Sequence, residues 1–380
     1  MVYPDTFDGF MVNSHEKWSD FRKEEFKPKP LDEWDVEIAI EACGVCGSDV
    51  HTLTGGWGQA KLPVCVGHEV VGKVVALGQK ATTVKIGDRV GVGAQVYACL
   101  KCKVCKSGNE NYCPHQVDTY NCYYPDNSMA YGGYSSHIRA HEYFVFSIPD
   151  SIESSIAAPM LCAGITSYSP LSRAKIGPGK TVGVVGIGGL GHFGILFAAA
   201  MGADVYAISH SPGKEADAKA LGAKGFISTK GKDWNVPFKN TFDFILNTTD
   251  ATDRFDISAY FSILTINGNF HTVGISDKAF PPLRTQDMMG NGCSISASHI
   301  GSREEVQAML QLAAKLNIKR SVSSFMFDYA GYFRADNCSW VETIDISEDG
   351  CKAAVEKVFN GKAKYRVTLV GYDKVFGTRA

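Results

Sequence analysis

The chain has 380 residues, of which 45% are hydrophobic and 21% are charged, a composition typical of a folded protein with two or three folding units. Its 38 basic and 40 acidic residues leave a net charge of -2, which argues against binding of nucleic acid or anionic lipid through bulk charge. The beginning of the sequence lacks the pattern of a secretory signal, and no apolar run approaches the ~18 residues that span a bilayer. We therefore predict a cytoplasmic protein that keeps its 12 cysteines reduced.

The first 156 residues contain short apolar runs that are separated by glycine turns, such as DVEIAIEACGV, VGHEVVGKVVALG and KIGDRVGV. Runs of this length, joined by turns rather than by helices, indicate an irregular antiparallel β-barrel. From about residue 157 the pattern changes. The segment TVGVVGIGGLGHFGILFAAAMGADVYAIS predicts a strand, a glycine turn, a helix and a strand, and FDFILN, GNFHTVGI and CSISASH predict further buried strands. This alternation of strands and helices indicates parallel βαβ units.

One group of four cysteines lies within a single short loop: Cys99, Cys102, Cys105 and Cys113. Their spacing allows four thiolates to surround one zinc ion, and neighbouring lysines offset the negative charge of such a site. A closed shell of four sulfurs leaves no position for a substrate, so this zinc would be structural. Disulfide bonds fit a reducing compartment poorly, and an iron–sulfur cluster is an alternative that spacing alone does not exclude.

A second possible metal site uses residues that are further apart in sequence: Cys46, His68, Glu69 and Cys162. Two thiolates and one imidazole leave one coordination position open, as in catalytic zinc sites. Asp49 can hydrogen-bond the far nitrogen of His68. Ser48 and His51 can pass the proton of an alcohol to solvent. Taken singly, each of these residues is equally compatible with ordinary packing. Packing is also our interpretation of Cys43, Cys65, Cys122, Cys293 and Cys351.

Gly186, Gly188 and Gly191 form a G-x-G-x-x-G motif between an apolar strand and an apolar helix. Glycines at these positions allow a tight turn and close approach of the backbone to a pyrophosphate, which faces the helix N-terminus. After the next strand the sequence carries Ser209, His210, Ser211 and Lys214 instead of the acidic residue of NAD sites. Hydroxyl groups and a cation suit a 2′-phosphate, so we predict NADP(H). The alternative is a plain helix-starting loop that Ser211 caps.

Taken together, these motifs resemble those of the zinc-containing medium-chain alcohol dehydrogenases, in particular the cinnamyl alcohol dehydrogenase branch in its fungal NADP-dependent form. The resemblance covers nearly the whole chain. It is carried by CGVCGSDVH, LPVCVGHEVVGKV, CLKCKVCKSGNENYC, YGGYSSHIRAHE, PMLCAGITSYSPL, VGIGGLGHFG, SHSPGK and YRVTLVGYDK. It implies an α/β protein with a GroES-like β-barrel catalytic domain (1–156), a doubly wound Rossmann domain of strand order 3-2-1-4-5-6 (157–301) and a return to the catalytic domain (302–380).

The resemblance also implies roles for individual residues. Cys46, His68 and Cys162 would bind a catalytic zinc, with Glu69 as a fourth ligand that water or substrate displaces. The four-cysteine loop would bind a second, structural zinc, and Ser48 would pass the proton towards His51. The residues implied along the cofactor are Thr166, Gly186, Gly188, Gly189, Leu190, Gly191, Ser209, His210, Ser211, Lys214, Val273, Ser298 and Ile300.

The function implied is reversible hydride transfer between NADPH and aromatic (cinnamyl-type) or medium-chain aldehydes, with small-molecule substrates and two zinc ions per chain. A homodimer through the Rossmann domains is expected, without nucleic-acid or membrane partners. Two alternatives stay open. A polyol or secondary-alcohol dehydrogenase of the same superfamily would usually carry an acidic residue after the second Rossmann strand. A non-catalytic cofactor-binding protein would usually have lost zinc ligands, whereas all are present here.

Several positions depart from the family pattern. Trp57 matches an aromatic wall of the substrate pocket, but Asp118 stands where plant members carry Trp and His299 where they carry Phe. These exchanges imply a more polar pocket. His210 stands where yeast relatives carry Arg, which weakens the selectivity for a 2′-phosphate. Residues 321–339 form an insertion, either a surface loop or an intervening sequence that was retained in the gene prediction.

Overall fold

The computed structural model describes residues 5–250, 255–320 and 338–377. The chain divides into two compact units by its internal contacts. The first unit comprises Met1–Ala163, Ser302–Lys315 and Trp340–Ala380, and the second comprises Gly164–Gly301 and Leu316–Ser339. The domain boundaries at 156/157 and 301/302, which rest on the sequence, stay a prediction. The predicted insertion at 321–339 lies outside the described residues except for its last two.

The strands in chain order are β1 (Phe7–Met11), β2 (Arg22–Phe26), β3 (Asp35–Val45), β4 (Glu69–Leu77), β5 (Arg89–Val92), β6 (Gln95–Tyr97), β7 (Val117–Asp118), β8 (His137–His141), β9 (Val145–Ser147), β10 (Thr181–Val185), β11 (Asp204–Ser209), β12 (Gly225–Ser228), β13 (Phe242–Asn247), β14 (Leu264–Thr272), β15 (Ser294–Ala297), β16 (Lys319–Arg320), β17 (Cys338–Ser339), β18 (Val341–Asp345) and β19 (Arg366–Val370).

The α-helices are α1 (Gly47–Thr54), α2 (Lys103–Lys106), α3 (Ser154–Pro159), α4 (Ile165–Arg173), α5 (Gly191–Ala200), α6 (Glu215–Ala220), α7 (Ile257–Ser262), α8 (Gln286–Met289), α9 (Arg303–Lys315), α10 (Glu348–Phe359) and α11 (Tyr372–Phe376). A π-helical turn, Met160–Gly164, lies between α3 and α4. Among the described residues, no helix combines the length and apolar character that crossing a bilayer requires.

The first unit is built on a seven-stranded sheet in the order β18-β19-β3-β4-β5-β9, with β8 also paired to β3. All its pairings are antiparallel except that of β18 with β19. The long strand β3 is central because it pairs with β4 along its length, with β8 near its start and with β19 near its end. Its apolar side chains, including Val36 and Ile38, are fully buried in the core of this unit.

The second unit contains a six-stranded parallel sheet in the order β12-β11-β10-β13-β14-β15. Numbered within this unit, the order is 3-2-1-4-5-6, which confirms the predicted doubly wound topology. Strand β10 is buried at Val182, Val184 and Val185, as a parallel strand covered on both faces must be. Helix α5 is apolar on nearly all sides and is buried accordingly.

Two positions on β14 provide a test of this packing. Phe270 is fully buried among aromatic side chains, whereas Ile266 is 77% exposed. We expect Phe270→Ala to lower the free energy of unfolding by about 3–5 kcal/mol, because it leaves a cavity in the core of the second unit. The matched change Ile266→Ala should alter it by about 0.5 kcal/mol or less. Urea denaturation of both variants measures the difference, and equal effects would contradict this placement of β14.

Candidate active site and metal centres

Four buried side chains from three parts of the first unit meet in one cluster: Cys46, His68, Glu69 and Cys162. Their potential ligand atoms all lie within 4.8 Å of one another. The pairing of Gly44 with Glu69 across β3 and β4 brings the end of one strand to the start of the other. The third part is the π-helical turn, which carries Cys162. Turns of this kind often occur at functional sites. The cluster therefore depends on the tertiary fold, since its members are separated in sequence.

The carboxylate of Asp49 connects two members of this open cluster. Its Oδ2 accepts a hydrogen bond from the backbone N–H of Cys46 at 2.8 Å, and its Oδ1 lies 3.1 Å from His68 Nδ1. Oδ1 also accepts from the backbone N–H of Gly67 at 3.1 Å. Because Nδ1 of His68 donates to a carboxylate, the other ring nitrogen is left with a lone pair. The structure thus provides the contact that the sequence suggested for Asp49, and it adds a contact to the backbone of Cys46.

The free ring nitrogen of His68 shows that the cluster fits a metal ion. Its Nε2 is buried and has no hydrogen-bond partner, an arrangement that is costly unless a ligand is bound. The hydrogen bond from the Cys162 thiol lowers the pKa of Cys46 well below its usual range although burial opposes it. A thiolate, a second thiol and an imidazole are the donor set of zinc sites that keep one position open.

Arg366, on β19, is a member of this site that the sequence reasoning missed. Its Nη2 lies 2.5 Å from both carboxylate oxygens of Glu69, and both side chains are buried. Burial raises the pKa of Glu69 to about 8, against the opposing effect of Arg366. Gly44 makes room for this pair, because a Cβ there would lie 1.9 Å from Glu69 Oε2. A signal was available in YRVTLV, since an arginine in an apolar strand needs a buried acidic partner.

The predicted proton path begins next to the cluster, in helix α1. Ser48 lies within 3.6 Å of Cys46, measured between Oγ and Sγ. One turn further on, the ring of His51 stacks on Trp57, with 4.6 Å between ring centroids and planes 10° apart. The indole of Trp57 is 42% exposed. The structure therefore brings Ser48, His51 and Trp57 into one region of the first unit, close to the open cluster.

The four cysteines of the loop around α2 form a second, closed cluster. Neighbouring Sγ atoms lie 3.5–4.0 Å apart. A tetrahedron of sulfurs 2.3 Å from one zinc has edges of about 3.8 Å, whereas a disulfide would need about 2.05 Å. The 11 cysteines whose side chains the structure describes are free thiols. Backbone N–H groups of Lys101 and Cys102 lower the pKa of Cys99 to about 6, while burial and its thiol neighbours raise that of Cys105. Thiols so close together need a cation to ionise jointly.

The glycine loop of the second unit has the steric properties of a dinucleotide site. Gly186 has a φ of 85°, and a Cβ on Gly191 would lie 1.8 Å from the carbonyl oxygen of Gly186. The turn from β10 into α5 is therefore closed to larger residues at both positions. A Cβ on Gly188 would meet no atom within 4 Å, so this glycine borders open space. Gly189 and Leu190 complete the loop and precede the first turn of α5.

The residues predicted for the 2′-phosphate lie at the end of β11 and in the turn after it. Ser209 Oγ accepts a hydrogen bond from the backbone N–H of Ser211 at 3.2 Å, which shapes the turn. His210 is exposed. Lys214 donates to the carbonyl oxygen of Ile187 in the glycine loop at 2.7 Å. Burial lowers the pKa of Lys214, although Asp217 opposes it. Lys214 thus reaches from the turn after β11 to the glycine loop after β10.

The remaining predicted cofactor residues lie in the second unit. Val273 directly follows β14, and Ser298 directly follows β15. Ile300 is buried with a φ of 43°, a strained conformation for a β-branched side chain. Thr166 is buried in the first turn of α4. In open α/β sheets the carboxyl ends of the strands are where ligands bind, and Val273 and Ser298 are at those ends.

Of the two predicted pocket residues that depart from the plant pattern, Asp118 is an exposed residue of the first unit, and His299 is half-buried in the second. Asp118 ends β7, opposite Gln95 of β6. His299 lies between Ser298 and Ile300, after the end of β15. Their role in a substrate pocket stays a prediction.

Two family models match the chain. Residues 32–150 match the alcohol dehydrogenase GroES-like domain, and residues 189–315 match the zinc-binding dehydrogenase domain. The chain is 42% identical to the NADP-dependent alcohol dehydrogenase 6 of Saccharomyces cerevisiae over 378 residues, which covers 99% of both proteins.

Solved structures agree with these matches. A cinnamyl alcohol dehydrogenase of Sorghum bicolor superposes with a TM-score of 0.86 and 32% identity over 96% of this chain and 97% of that one. The cinnamyl alcohol dehydrogenase of Helicobacter pylori, solved with NADP(H), superposes with a TM-score of 0.83 and 32% identity, over 96% of this chain and 98% of that one.

The chain belongs to the zinc-dependent medium-chain alcohol dehydrogenases, within the cinnamyl alcohol dehydrogenase branch. Both parts of the predicted fold, the GroES-like domain and the Rossmann domain, are thereby confirmed. The protein is an enzyme of alcohol and aldehyde oxidoreduction, and this prediction holds over the polyol dehydrogenase and the non-catalytic alternatives.

Metal analysis tests the two clusters separately. We expect the purified enzyme to contain two zinc ions per chain and Cys105→Ser to contain one, since three sulfurs no longer close the shell around the structural ion. The control is Cys122→Ser, which changes a half-buried thiol outside both clusters and should leave the zinc content unchanged. A full zinc content in the Cys105 variant would argue against the four-cysteine site.

Proposed function

We propose that Cys46, His68 and Cys162 hold the catalytic zinc of an NADP(H)-dependent alcohol dehydrogenase, with Glu69 as an exchangeable fourth ligand. Cys99, Cys102, Cys105 and Cys113 hold a structural zinc. The observation that carries the proposal is the buried, unpartnered Nε2 of His68 among two thiols. The use of zinc and NADP(H) as cofactors agrees with the zinc-binding dehydrogenase match and with the relatives.

Each polar residue around the open site has its own role in the proposed reaction. A zinc ion held by these residues would supply a Lewis acid for an aldehyde carbonyl, and NADPH would supply the hydride. Asp49 keeps the proton of His68 on Nδ1, so that Nε2 stays a ligand. Ser48 holds a hydroxyl proton beside Cys46, and His51 returns protons from solvent to this hydroxyl during reduction. Arg366 would keep the side chain of Glu69 in place whether or not Glu69 is a metal ligand.

The second unit favours NADP(H) over NAD(H). Ser209, Ser211 and Lys214 provide hydroxyl groups and a cation near the glycine loop, and no carboxylate lies in the turn 210–214 to repel a phosphate. Glu215 is the first acidic residue after the turn, and it pairs with Lys219. The yeast relative is an NADP-dependent alcohol dehydrogenase, and the Helicobacter pylori enzyme was solved with NADP(H). Both support NADP(H) as the coenzyme of this chain.

Aromatic or medium-chain aldehydes are the proposed substrate class. The exposed indole of Trp57, stacked on His51, offers an aromatic surface beside the proton path. The names of the two structural relatives, cinnamyl alcohol dehydrogenases, support aromatic aldehydes.

We further propose a cytoplasmic homodimer that forms through the Rossmann domains. Among the described strands, β15 has a neighbour on one side only, and a strand edge of this kind favours strand addition from a second copy. Met289, just before β15, is 77% exposed, and Ile275 and Leu283 are about half exposed. Exposed apolar side chains of this kind are typical of an interface. We also propose that the domain boundaries lie at 156/157 and 301/302.

The function is tested with Cys46→Ser and a panel of cinnamyl, benzyl, medium-chain and polyol substrates, each assayed with NADPH and NADH. We expect the parent enzyme to reduce the aromatic and medium-chain aldehydes with NADPH. The variant should lose about 100-fold or more in kcat, because the open site loses a thiolate ligand, yet bind NADPH normally. Undiminished aldehyde reduction by the variant, or by the zinc-free enzyme, would sink the proposal.

The coenzyme preference is tested at Lys214. We expect Lys214→Ala to weaken NADPH binding about 10-fold or more, because a charged hydrogen bond to the 2′-phosphate is lost, while the affinity for NADH changes less than about 2-fold. Lys219→Ala is the matched control, since it removes the same charge from α6, where the lysine pairs with Glu215. Equal losses for both coenzymes would show that Lys214 does not read the 2′-phosphate.

A further inference from the structure

The sequence contains three asparagines that directly precede a glycine: Asn267, Asn291 and Asn360. In such a pair the backbone nitrogen of the glycine can attack the side-chain carbonyl carbon of the asparagine, because glycine has no Cβ that hinders the approach. The three pairs have the same intrinsic chemistry in an unfolded chain. Differences between them in the folded protein therefore come from the contacts that the structure gives each one.

The carboxamide of Asn291 is held on both sides by the backbone. Its Nδ2 donates to two backbone carbonyl oxygens, at 2.8 Å and 2.9 Å, and its Oδ1 accepts from the backbone N–H of Cys293 at 3.2 Å. The backbone N–H of Gly292, which is the group that would attack, donates to the carbonyl oxygen of Met288 at 2.9 Å. A reaction at Asn291 would first have to break these hydrogen bonds.

The pair at the end of α10 is also held, although Asn360 is exposed. Asn360 Nδ2 donates to the carbonyl oxygen of Glu356 at 2.7 Å. The backbone N–H of Gly361 donates to the carbonyl oxygen of Val358 at 3.0 Å. Both reacting groups of this pair are therefore engaged in the hydrogen bonds that end the helix.

Asn267 differs from the other two asparagines in its side chain. It is exposed, and its carboxamide has no hydrogen-bond partner among the residues that the structure describes. Its φ of 60° lies in the left-handed region, and it belongs to a bulge that interrupts the pairing of β14 with β13 between Phe242 and Phe244. Exposed irregular segments of this kind open locally at a lower cost in free energy than paired strands do.

We propose that Asn267 is a site of spontaneous deamidation, at which the folded protein slowly converts one asparagine into aspartate and isoaspartate. The backbone nitrogen of Gly268 forms a bond to Asn267 Cγ, the bond from Cγ to Nδ2 breaks, and ammonia leaves. Water then opens the resulting cyclic imide at either of its two carbonyl carbons. One water is consumed and one ammonia is released, with no oxidation or reduction. The inference does not depend on the proposed metal or coenzyme sites.

The products change the bulge in charge and in length. Each adds one negative charge, and isoaspartate also adds a methylene group to the main chain. The backbone N–H of Asn267 donates to the carbonyl oxygen of Asn291 at 2.8 Å, so this bulge connects β14 to the segment just before β15. The modified chain is consequently separable from the parent by anion exchange, which allows its formation to be followed over time.

The first test follows all three asparagines in one sample of the folded protein. The protein is incubated at mildly alkaline pH, which favours attack by the backbone nitrogen, and peptides are mapped by mass spectrometry at intervals. The peptide with Asn267 should gain the mass difference between a hydroxyl and an amino group, as a mixture of aspartate and isoaspartate. It should react about 10-fold or more faster than the peptides with Asn291 and Asn360, whose hydrogen bonds must first break.

The same incubation in urea separates the effect of the fold from that of the local sequence. Unfolding removes the hydrogen bonds that distinguish the three pairs, so their rates should then agree within about 3-fold. If Asn267 keeps the same advantage in urea, the sequence around it and not the structure selects it, and the inference is wrong. An unchanged Asn267 peptide in the folded protein, or equal rates at all three asparagines there, would also overturn it.

Asn267→Gly is the matched variant for the folded protein. It removes the carboxamide, and glycine adopts a φ of 60° without strain, so the bulge is retained. On anion exchange the variant should not form the acidic species that the parent forms during incubation. Asn360→Gly, which removes the carboxamide of a held pair, should form that species at the rate of the parent. Acidic species that form equally fast in the Asn267 variant would show that Asn267 is not their source and would refute the proposal.

Discussion

The buried carboxylate of Asp49 is the interaction on which the open metal site depends. It binds the backbone of Cys46 and of Gly67 and the imidazole of His68, so one side chain orients two of the proposed ligands. A fully buried carboxylate is stable only when such partners satisfy it. Because Asp49 lies in the first turn of α1, the start of this helix, the end of β3 and the segment before β4 are held as one rigid body around the ligands.

The charges around this site explain why it needs a cation. Two thiols, Asp49 and Glu69 can each carry a negative charge, and Arg366 is the cation that the structure places against them. Burial raises the pKa of Glu69 to about 8, which shows that the arginine alone does not compensate for the loss of water. A divalent ion would stabilise the thiolates and the carboxylate together. Without such an ion, so many buried acidic groups would destabilise the fold. The site is therefore costly as packing and suited to metal binding.

Much of the fold was predictable because its signals are local. The glycine loop between β10 and α5 and the alternation of strands and helices determine a parallel sheet, and the topology of such sheets follows few rules. The four-cysteine loop was predictable for the same reason. Arg366 and the hydrogen bonds around His271 were not predicted, since these groups meet their partners only through strand register. The alternating polar residues of GNFHT and CSISAS were visible, but which of them face each other depends on how β14 and β15 align.

The cysteines show how the same side chain acquires different chemistry within one unit. Cys65 and Cys351 lie in the apolar core, where burial raises the pKa of both thiols. Cys46 is equally buried, yet its pKa is lowered because the thiol of Cys162 donates to its sulfur. Burial alone thus keeps a thiol protonated and inert, and hydrogen-bond donors make it a ligand. A count of cysteines cannot distinguish the two states. The neighbours of each sulfur do, and the thiol that donates to Cys46 belongs to a residue that shares its proposed metal ion.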